Sequence, residues 1–337
     1  MATLGATKYT LADWAKSRDP DGKTATVVEL LSQTNSILDH MPVVEANGDT
    51  FHRTTVRTGL PSSIWRKLYQ GVPTSKATKA QVDESIGMLE TRSEVDKDLA
   101  DLNGATAEFR LQEAEPFMEA LAQNMATTLF YGDTDTDPEK FMGLAPRYSS
   151  LSANNAQNII SGGGSGSDNL SVWLVCWAPT KVTGIFPKGS KVGLQHEDLG
   201  VGDAFDGNND RYRAYMDHYQ WKLGLSVRDW RYATRICNVD VSALQAESSD
   251  ADLVKLMIRA MHRIPNLNAG RCYWYMNRTA MEYLDVQSAG KSASGSAVVT
   301  NVSFDDQDKA QGKMVQTFRG VPITVTDALL NTEATVS

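Results

Sequence analysis

Charge is sorted by sign along residues 51–101, and that sorting restricts the architectures open to the chain. From Phe51 to Lys79 there are six basic side chains and no acidic one, namely Arg53, Arg57, Arg66, Lys67, Lys76 and Lys79. From Gln81 to Asp101 seven acidic residues face two basic ones. The acidic set is Asp83, Glu84, Glu90, Glu94, Asp96, Asp98 and Asp101. A +6 block therefore abuts a −5 block in a segment poor in large apolar residues. Residues 51–58 read as strand, being β-branched and polar on both faces. A sheet is stabilised by burying a face, so this segment is unsuited to building its own core. One reading is an arm laid on another surface, with complementary charge setting the register. The competing reading is a solvated hairpin whose two charge runs neutralise each other.

A length of 337 residues suggests about two domains at ~100–200 residues each. With 41% hydrophobic and 22% charged residues the chain is globular with ample core. Its net charge of −8 argues against a general nucleic-acid binder, which needs a basic face. The patch at 53–79 lacks the evenly spaced aromatics of a base-stacking platform. Cys176, Cys237 and Cys272 are far apart, odd in number and set among apolar neighbours, so buried free thiols are expected. No apolar leader and no membrane-spanning run is read in the sequence, and a cytosolic product is expected.

Two short helices are expected within the first forty residues, followed by the charged segment 45–104. The clearest helix begins at Pro116, a natural first-turn residue, with Phe117, Leu121, Met125 and Leu129 forming a stripe. It is expected to close at Tyr131-Gly132-Asp133. The glycine-rich stretch 161–167 reads as a loop marking a boundary, and 171–178 as a buried strand. Residues 212–240 carry spread aromatic and β-branched residues without proline, which fits long paired strands. A helix over 250–264 is expected, capped by Ser249 and stopped by Pro265. Then follow a strand over 271–276, a helix from an Asn277 cap to Val286, a polar stretch at 287–311, and strands over 314–318 and 321–325.

No catalytic, cofactor or metal signature emerges. The five histidines show no metal-ligand spacing, and His196-Glu197-Asp198 reads as a turn-exposed cluster. Asp133-Thr134-Asp135-Thr136-Asp137 begins like a calcium loop, but Pro138 replaces its glycine and Leu144 its final glutamate. Gly290-Lys291-Ser292 ends like a phosphate loop, yet Asp285 stands where the first glycine belongs.

The order of elements, with four stretches of sequence, resembles the major capsid proteins of tailed bacteriophages with the Hong Kong 97-type fold. The stretches are Tyr131-Gly132-Asp133 through Phe141-Met142-Gly143-Leu144, residues 271–279, Tyr9-Thr10-Leu11-Ala12-Asp13-Trp14-Ala15-Lys16, and 52–61. The last two are similar to the short-tailed-phage branch typified by the Salmonella phage epsilon-fifteen and the Bordetella phages. The resemblance implies an α+β fold with an N-terminal arm at 1–44 and an extended loop at 45–104 reaching over a neighbouring subunit. It implies a peripheral domain at 105–150 and 205–247, with Pro116–Phe130 as spine helix. An axial domain at 151–204 and 248–337 would close the capsomers. The long strands 212–240 precede the axial-type helices, so either the connectivity is permuted or the boundaries fall elsewhere.

The implied function is a major capsid protein, not an enzyme, that self-assembles as hexamers and pentamers into the icosahedral head around double-stranded DNA. Arg53, Arg57, Arg66, Lys67, Glu90 and Glu94 are the expected inter-subunit contacts. Expected partners are further copies of the chain, a separate scaffolding protein, a portal protein and a decoration or cement protein. DNA would be enclosed without sequence-specific binding, no membrane is involved, and assembly in the host cytoplasm would end in the virion. A covalent cross-link would need a lysine, an asparagine and a glutamate in set places. Lys76 and Lys79 lie in the arm, but no pattern identifies the other two, and a non-covalent shell is expected. The alternatives are another phage head or tail subunit, and a cytosolic enzyme with a carboxylate site that leaves no signature.

Overall fold

The structure, a computed structural model, describes residues 33–102, 106–206, 208–246, 251–293, 301–303 and 315–337. The helices expected before residue 33, the Ser249 cap and most of the later polar stretch lie outside the described residues. In chain order the elements begin with α1 (Ile37–His40), β1 (Val43–Glu45), β2 (Phe51–Gly59), β3 (Thr78–Asp96), α2 (Lys97–Asp101) and α3 (Thr106–Tyr131). Next come α4 (Leu144–Arg147), β4 (Ile159–Ser161), β5 (Asn169–Trp177), β6 (Val182–Phe186), β7 (Leu194–Phe205), β8 (Arg211–Val227) and β9 (Ala233–Asp240). The last part holds α5 (Val241–Gln245), α6 (Leu253–Met261), β10 (Arg271–Met276), α7 (Arg278–Ala293), β11 (Asn301–Ser303), β12 (Val315–Phe318) and β13 (Val321–Val325). The chain forms two compact units, whose borders fall inside β3, α3 and β8 and between β6 and β7.

The larger unit comprises residues 36–87, 127–192 and 223–337. Its centre is β5, buried along its whole length as its unbroken apolar run requires. β5 pairs antiparallel with β9 on one side and β10 on the other, and β10 continues parallel to β13. Aromatic side chains fill the layer below: Tyr148 meets Trp173 edge-on at 5.7 Å, and Phe130 meets Tyr275 likewise at 6.2 Å. The Trp177 indole N–H donates to the Tyr275 hydroxyl at 2.8 Å, so that buried polar pair is satisfied. α6 packs on β9 and α7 through Leu253, Leu256, Met257 and Ala260, the stripe that its spacing predicts. Its cap is Asp252, whose carboxylate accepts from the Lys255 N–H at 3.1 Å. Asn277 caps α7 as expected, accepting from the Ala280 N–H at 2.8 Å, but the helix runs on to Ala293 instead of ending at Val286.

The smaller unit contains residues 88–126 and 193–222. The β7–β8 hairpin runs in register from Leu194↔Trp221 to Phe205↔Arg211. Against it, Phe109 packs with Val95, Leu99, Ala100 and Tyr215. Leu121 packs with Ala114 and Tyr219.

Several expectations are corrected. The main helix starts at Thr106, ten residues before Pro116, which sits inside it. An interior proline forfeits one N–H bond, and burial of Phe109 and Ala114 on the earlier turns offsets that loss. The acidic run lies mostly on a strand of 19 residues rather than an open loop, because pairing with β2 along residues 78–85, and with β8 as its other neighbour, overrides the poor β-propensity of Asp and Glu. His196-Glu197-Asp198 lies on β7, with a register shift between Asp198 and Gly200, whose φ is +71°. The glycine-rich stretch stays tied to the sheet, Gly162 and Gly164 donating to Cys237 and Asn238 carbonyls, and both its flanks belong to the larger unit. Cys176 and Cys272 are direct cross-strand partners joined as a disulfide, so Cys237 alone is a free thiol. Burial pushes that thiol up to about 11, which keeps it unreactive.

Candidate functional site

β2 and β3 form an antiparallel hairpin whose register runs from Phe51↔Ser85 to Arg57↔Lys79. Arg53 stands opposite Asp83 and donates to it twice, at 2.7 Å through Nε and 2.7 Å through Nη2. Arg57 faces Lys79 instead, which places two like charges across the ladder. Among the described residues, Arg57, Arg66, Lys67, Lys76 and Lys79 have no carboxylate partner. The two charge runs therefore cancel at the root of the hairpin and not at its far end.

That far end, residues 60–77, carries an apolar feature the charge pattern hides. Trp65 and Tyr69 are fully exposed at 101% and 102%, and Leu60 and Leu68 are 80% and 87% exposed. Tyr69 also holds φ +63°, an uncommon backbone state for an aromatic residue. Reading charge alone missed these residues. The signal that would have found them is Ile64-Trp65 and Leu68-Tyr69 flanking Arg66-Lys67 between two prolines.

The root is fastened by buried polar contacts within the larger unit. Glu84, next to Asp83, is buried and accepts from Arg147 Nη1 at 2.8 Å and from Arg147 Nη2. Arg147 also donates to the carbonyls of Met142 and Leu225, each at 3.2 Å. The Gly132 N–H, Gly143 and the end of α3 make this close fit: a Cβ on Gly143 would sit 2.7 Å from the Thr128 carbonyl. On β2, Asn47 brackets Arg53 with two bonds, to its N–H and carbonyl, at 2.8 and 2.6 Å. Arg228 Nη2 donates to the buried His52 Nε2 at 2.7 Å.

Burial first and the Arg228 guanidinium second hold the His52 pKa below its ordinary value, against a smaller opposing pull from Glu84. A depressed imidazole pKa contributes stability above the unfolded value of about 6.5 that is lost as pH falls from there toward the folded value. Acidification from pH 8 to pH 5 should therefore lower the protection factors of β2 amides, measured relative to the intrinsic exchange rate at each pH, and His52→Gln should flatten that dependence. Equal pH profiles for both proteins would refute it.

A second buried cluster closes the larger unit. Arg235 and Glu333 pair at 2.8 Å with both side chains 5% exposed. Glu333 also accepts from Ser171 and, through its other oxygen, from the Tyr131 hydroxyl. Arg235 donates to the Tyr148 carbonyl at 2.9 Å and lies over the Trp173 ring. Burial, then the Glu333 charge, push the Tyr131 pKa upward, so the phenol stays a donor. Arg235, Glu333, Ser171 and Tyr131 each bond to another member of the cluster. The arrangement is a structural clamp.

The remaining expected contacts lie in the smaller unit. Glu90 on β3 accepts from Gln220 and from His218 Nε2, the latter at 3.3 Å, which holds its carboxyl below the usual range, the Gln220 bond contributing most. Glu94 is exposed on the same strand. Nearby Arg110 joins Asp217 and Asp198, each at 2.9 Å. Among the described residues no cluster of His, Cys, Asp and Glu is arranged to hold a metal ion, and no helix is long and apolar enough to cross a membrane.

Comparison with known proteins adds the family. The model of Major capsid protein GP7 matches residues 19–337. The chain belongs to that family. This capsid protein is also similar to a solved chain of bacteriophage Epsilon15, at 36% identity and TM-score 0.75, covering 100% of this chain and 99% of that one. Weaker likenesses include the capsid of the native GTA particle, at 12% identity and TM-score 0.45, covering 69% of this chain and 99% of that one. Another is the SrpI encapsulin of Synechococcus elongatus, at 8% and 0.46, covering 69% and 96%. No curated protein matches. The α+β fold is of the Hong Kong 97 type, as the resemblance implied, and the protein is a structural component of a phage virion rather than an enzyme.

Proposed function

We propose that this capsid protein assembles as hexamers and pentamers into the icosahedral head that encloses phage double-stranded DNA, and that the β2–β3 hairpin is the arm laid on the next subunit. The observation that carries this is the tip of the arm: Arg66, Lys67 and Lys76 have no carboxylate partner among the described residues, and Trp65 and Tyr69 stand fully exposed beside them. Such a surface is expected where another molecule supplies the other half. Arg57, Arg66 and Lys67 are the donors, Glu90 and Glu94 belong to the receiving side, and Arg53, in its exposed pair with Asp83, adds charge at the root. Residues 105–150 and 205–247 serve as peripheral domain, and 151–204 with 248–337 as axial domain. A separate scaffolding protein and a portal protein complete assembly in the host cytoplasm, and a decoration protein has the outer surface open to it. A net charge of −8 suits a wall that encloses DNA without gripping it, since phosphate affinity rises with each neutralised contact.

Electron microscopy of the expressed chain, with and without its scaffolding partner, tests the reading. Closed shells or rings of five and six are expected. A uniform monomer or dimer under every condition would overturn it. The triple reversal Arg57→Glu, Arg66→Glu, Lys67→Glu should leave the melting temperature within a few degrees and abolish shells. Normal shells from that variant would remove charge from the docking mechanism.

A further inference from the structure

We propose that the arm tip has a defined receptor: the acidic recess at the root of the same hairpin on the next copy of the chain. The proposal rests on the assembly reading above. The recess, of about 1100 Å³, is bounded by residues 82–85, 131–138, 142–149 and 330–336 of the larger unit, with Arg235 at its base. Five carboxylates and two guanidiniums line it: Asp83, Glu84, Asp133, Asp135 and Glu333 against Arg147 and Arg235. Glu84 and Glu333 are cancelled by Arg147 and Arg235, and Asp83 by Arg53 outside the lining. Asp133 and Asp135 remain, with no salt-bridge partner among the described residues. Beside them, among polar residues such as Ser85, Thr134 and Thr332, Val82 and Leu330 add exposed apolar area, at 38% and 48%.

The tip is the complement in both respects. Arg66 and Lys67 answer Asp133 and Asp135, while Trp65, Leu68 and Tyr69 answer Val82, Met142 and Leu330. Aromatic anchors entering a pocket with charge at its rim form the usual energetic centre of an interface. Geometry makes the contact intermolecular. The recess includes residues 82–85, which pair with the start of β2, whereas the tip follows its end. Eight residues of strand at ~3.3 Å each separate the two by roughly 25 Å. A straight hairpin cannot fold its tip into its own root, so the recess receives another copy's tip. A contact between two different surfaces of identical chains runs head to tail and closes into a ring where rotation permits.

The test co-expresses two singly substituted chains, Gln70→Cys at the tip and Thr332→Cys at the recess, and oxidises the product mildly. Mixed particles should give a cross-linked dimer of the two chains that neither chain gives alone. Intact shells without that dimer would overturn the recess as receptor while leaving the shell reading standing. Failure to form shells with wild-type chain under any condition would instead count against the shell reading. A charge exchange covers the case in which the cysteines disturb assembly. Asp133→Lys with Asp135→Lys should reduce shell yield at least tenfold, and adding Arg66→Asp with Lys67→Asp should restore it. Restoration failing while the quadruple variant melts normally would also overturn the proposal.

Discussion

Replacing Glu333 by alanine should destabilise the protein by about 3–5 kcal/mol, the cost of leaving a buried guanidinium without its counter-ion. Arg235 is 4% exposed and its other donors are committed to Ser171, Ala145 and Tyr148, so no protein group is left to take the place of the lost carboxylate. Two further donors, the Ser171 and Tyr131 hydroxyls, lose their acceptor together. Because they act as one network, the loss exceeds that of a single hydrogen bond. Differential scanning calorimetry should show the transition falling by roughly 10 °C. Removing both charges, Arg235→Met with Glu333→Leu, should recover much of the loss, since an apolar pair of similar volume avoids the desolvation cost. A single variant that melts within a degree or two of wild type would show that water reaches the clamp.

Glu84→Ala should act on stability and assembly together. Arg147 would lose its bidentate partner while remaining held among the Met142, Gly143 and Leu225 carbonyls, at a cost of about 3 kcal/mol. The site lies at the root of the hairpin, so the arm's direction is lost with it. Shell yield should fall further than the stability change alone explains, which a matched core variant such as Leu256→Ala would calibrate. The neighbouring Asp83→Asn serves as contrast. It removes an exposed pair, and both melting and shell yield should change little. Equal effects at the two positions would mean that the hairpin ladder, not the buried pair, aims the arm.

What the sequence showed and hid follows from which forces were local. β5, β10 and α6 were legible because apolar periodicity and burial coincide there: the unbroken run of β5 is buried on both faces, and the α6 stripe faces the sheet. The arm was legible as charge, and β2 as strand. β3 was not, since Asp and Glu disfavour strands and only pairing with its neighbours β2 and β8 makes one. The start of α3 was displaced by Pro116, a residue that reads as a beginning when seen locally and is tolerated inside once Phe109 is buried. The clamp left no trace because Tyr131, Ser171, Arg235 and Glu333 are ordinary residues far apart in the chain. The disulfide was hidden for the same reason, as Cys176 and Cys272 are separated by 96 residues and meet only through strand register.

The clamp also sets a timetable. Arg235 and Glu333 are 98 residues apart, and Ser171 precedes Glu333 by 162. At a synthesis rate of ~5–20 residues per second, Arg235 emerges roughly 5–20 s before its counter-ion. Through that interval the guanidinium must stay hydrated, which holds the space between β9, α4 and Trp173 open. The tail then closes it, Glu333 and Val336 bonding to Asn169 and Asn238 on the central strands. The recess proposed as the receptor, which residues 330–336 help to line, therefore forms only after the arm has been made.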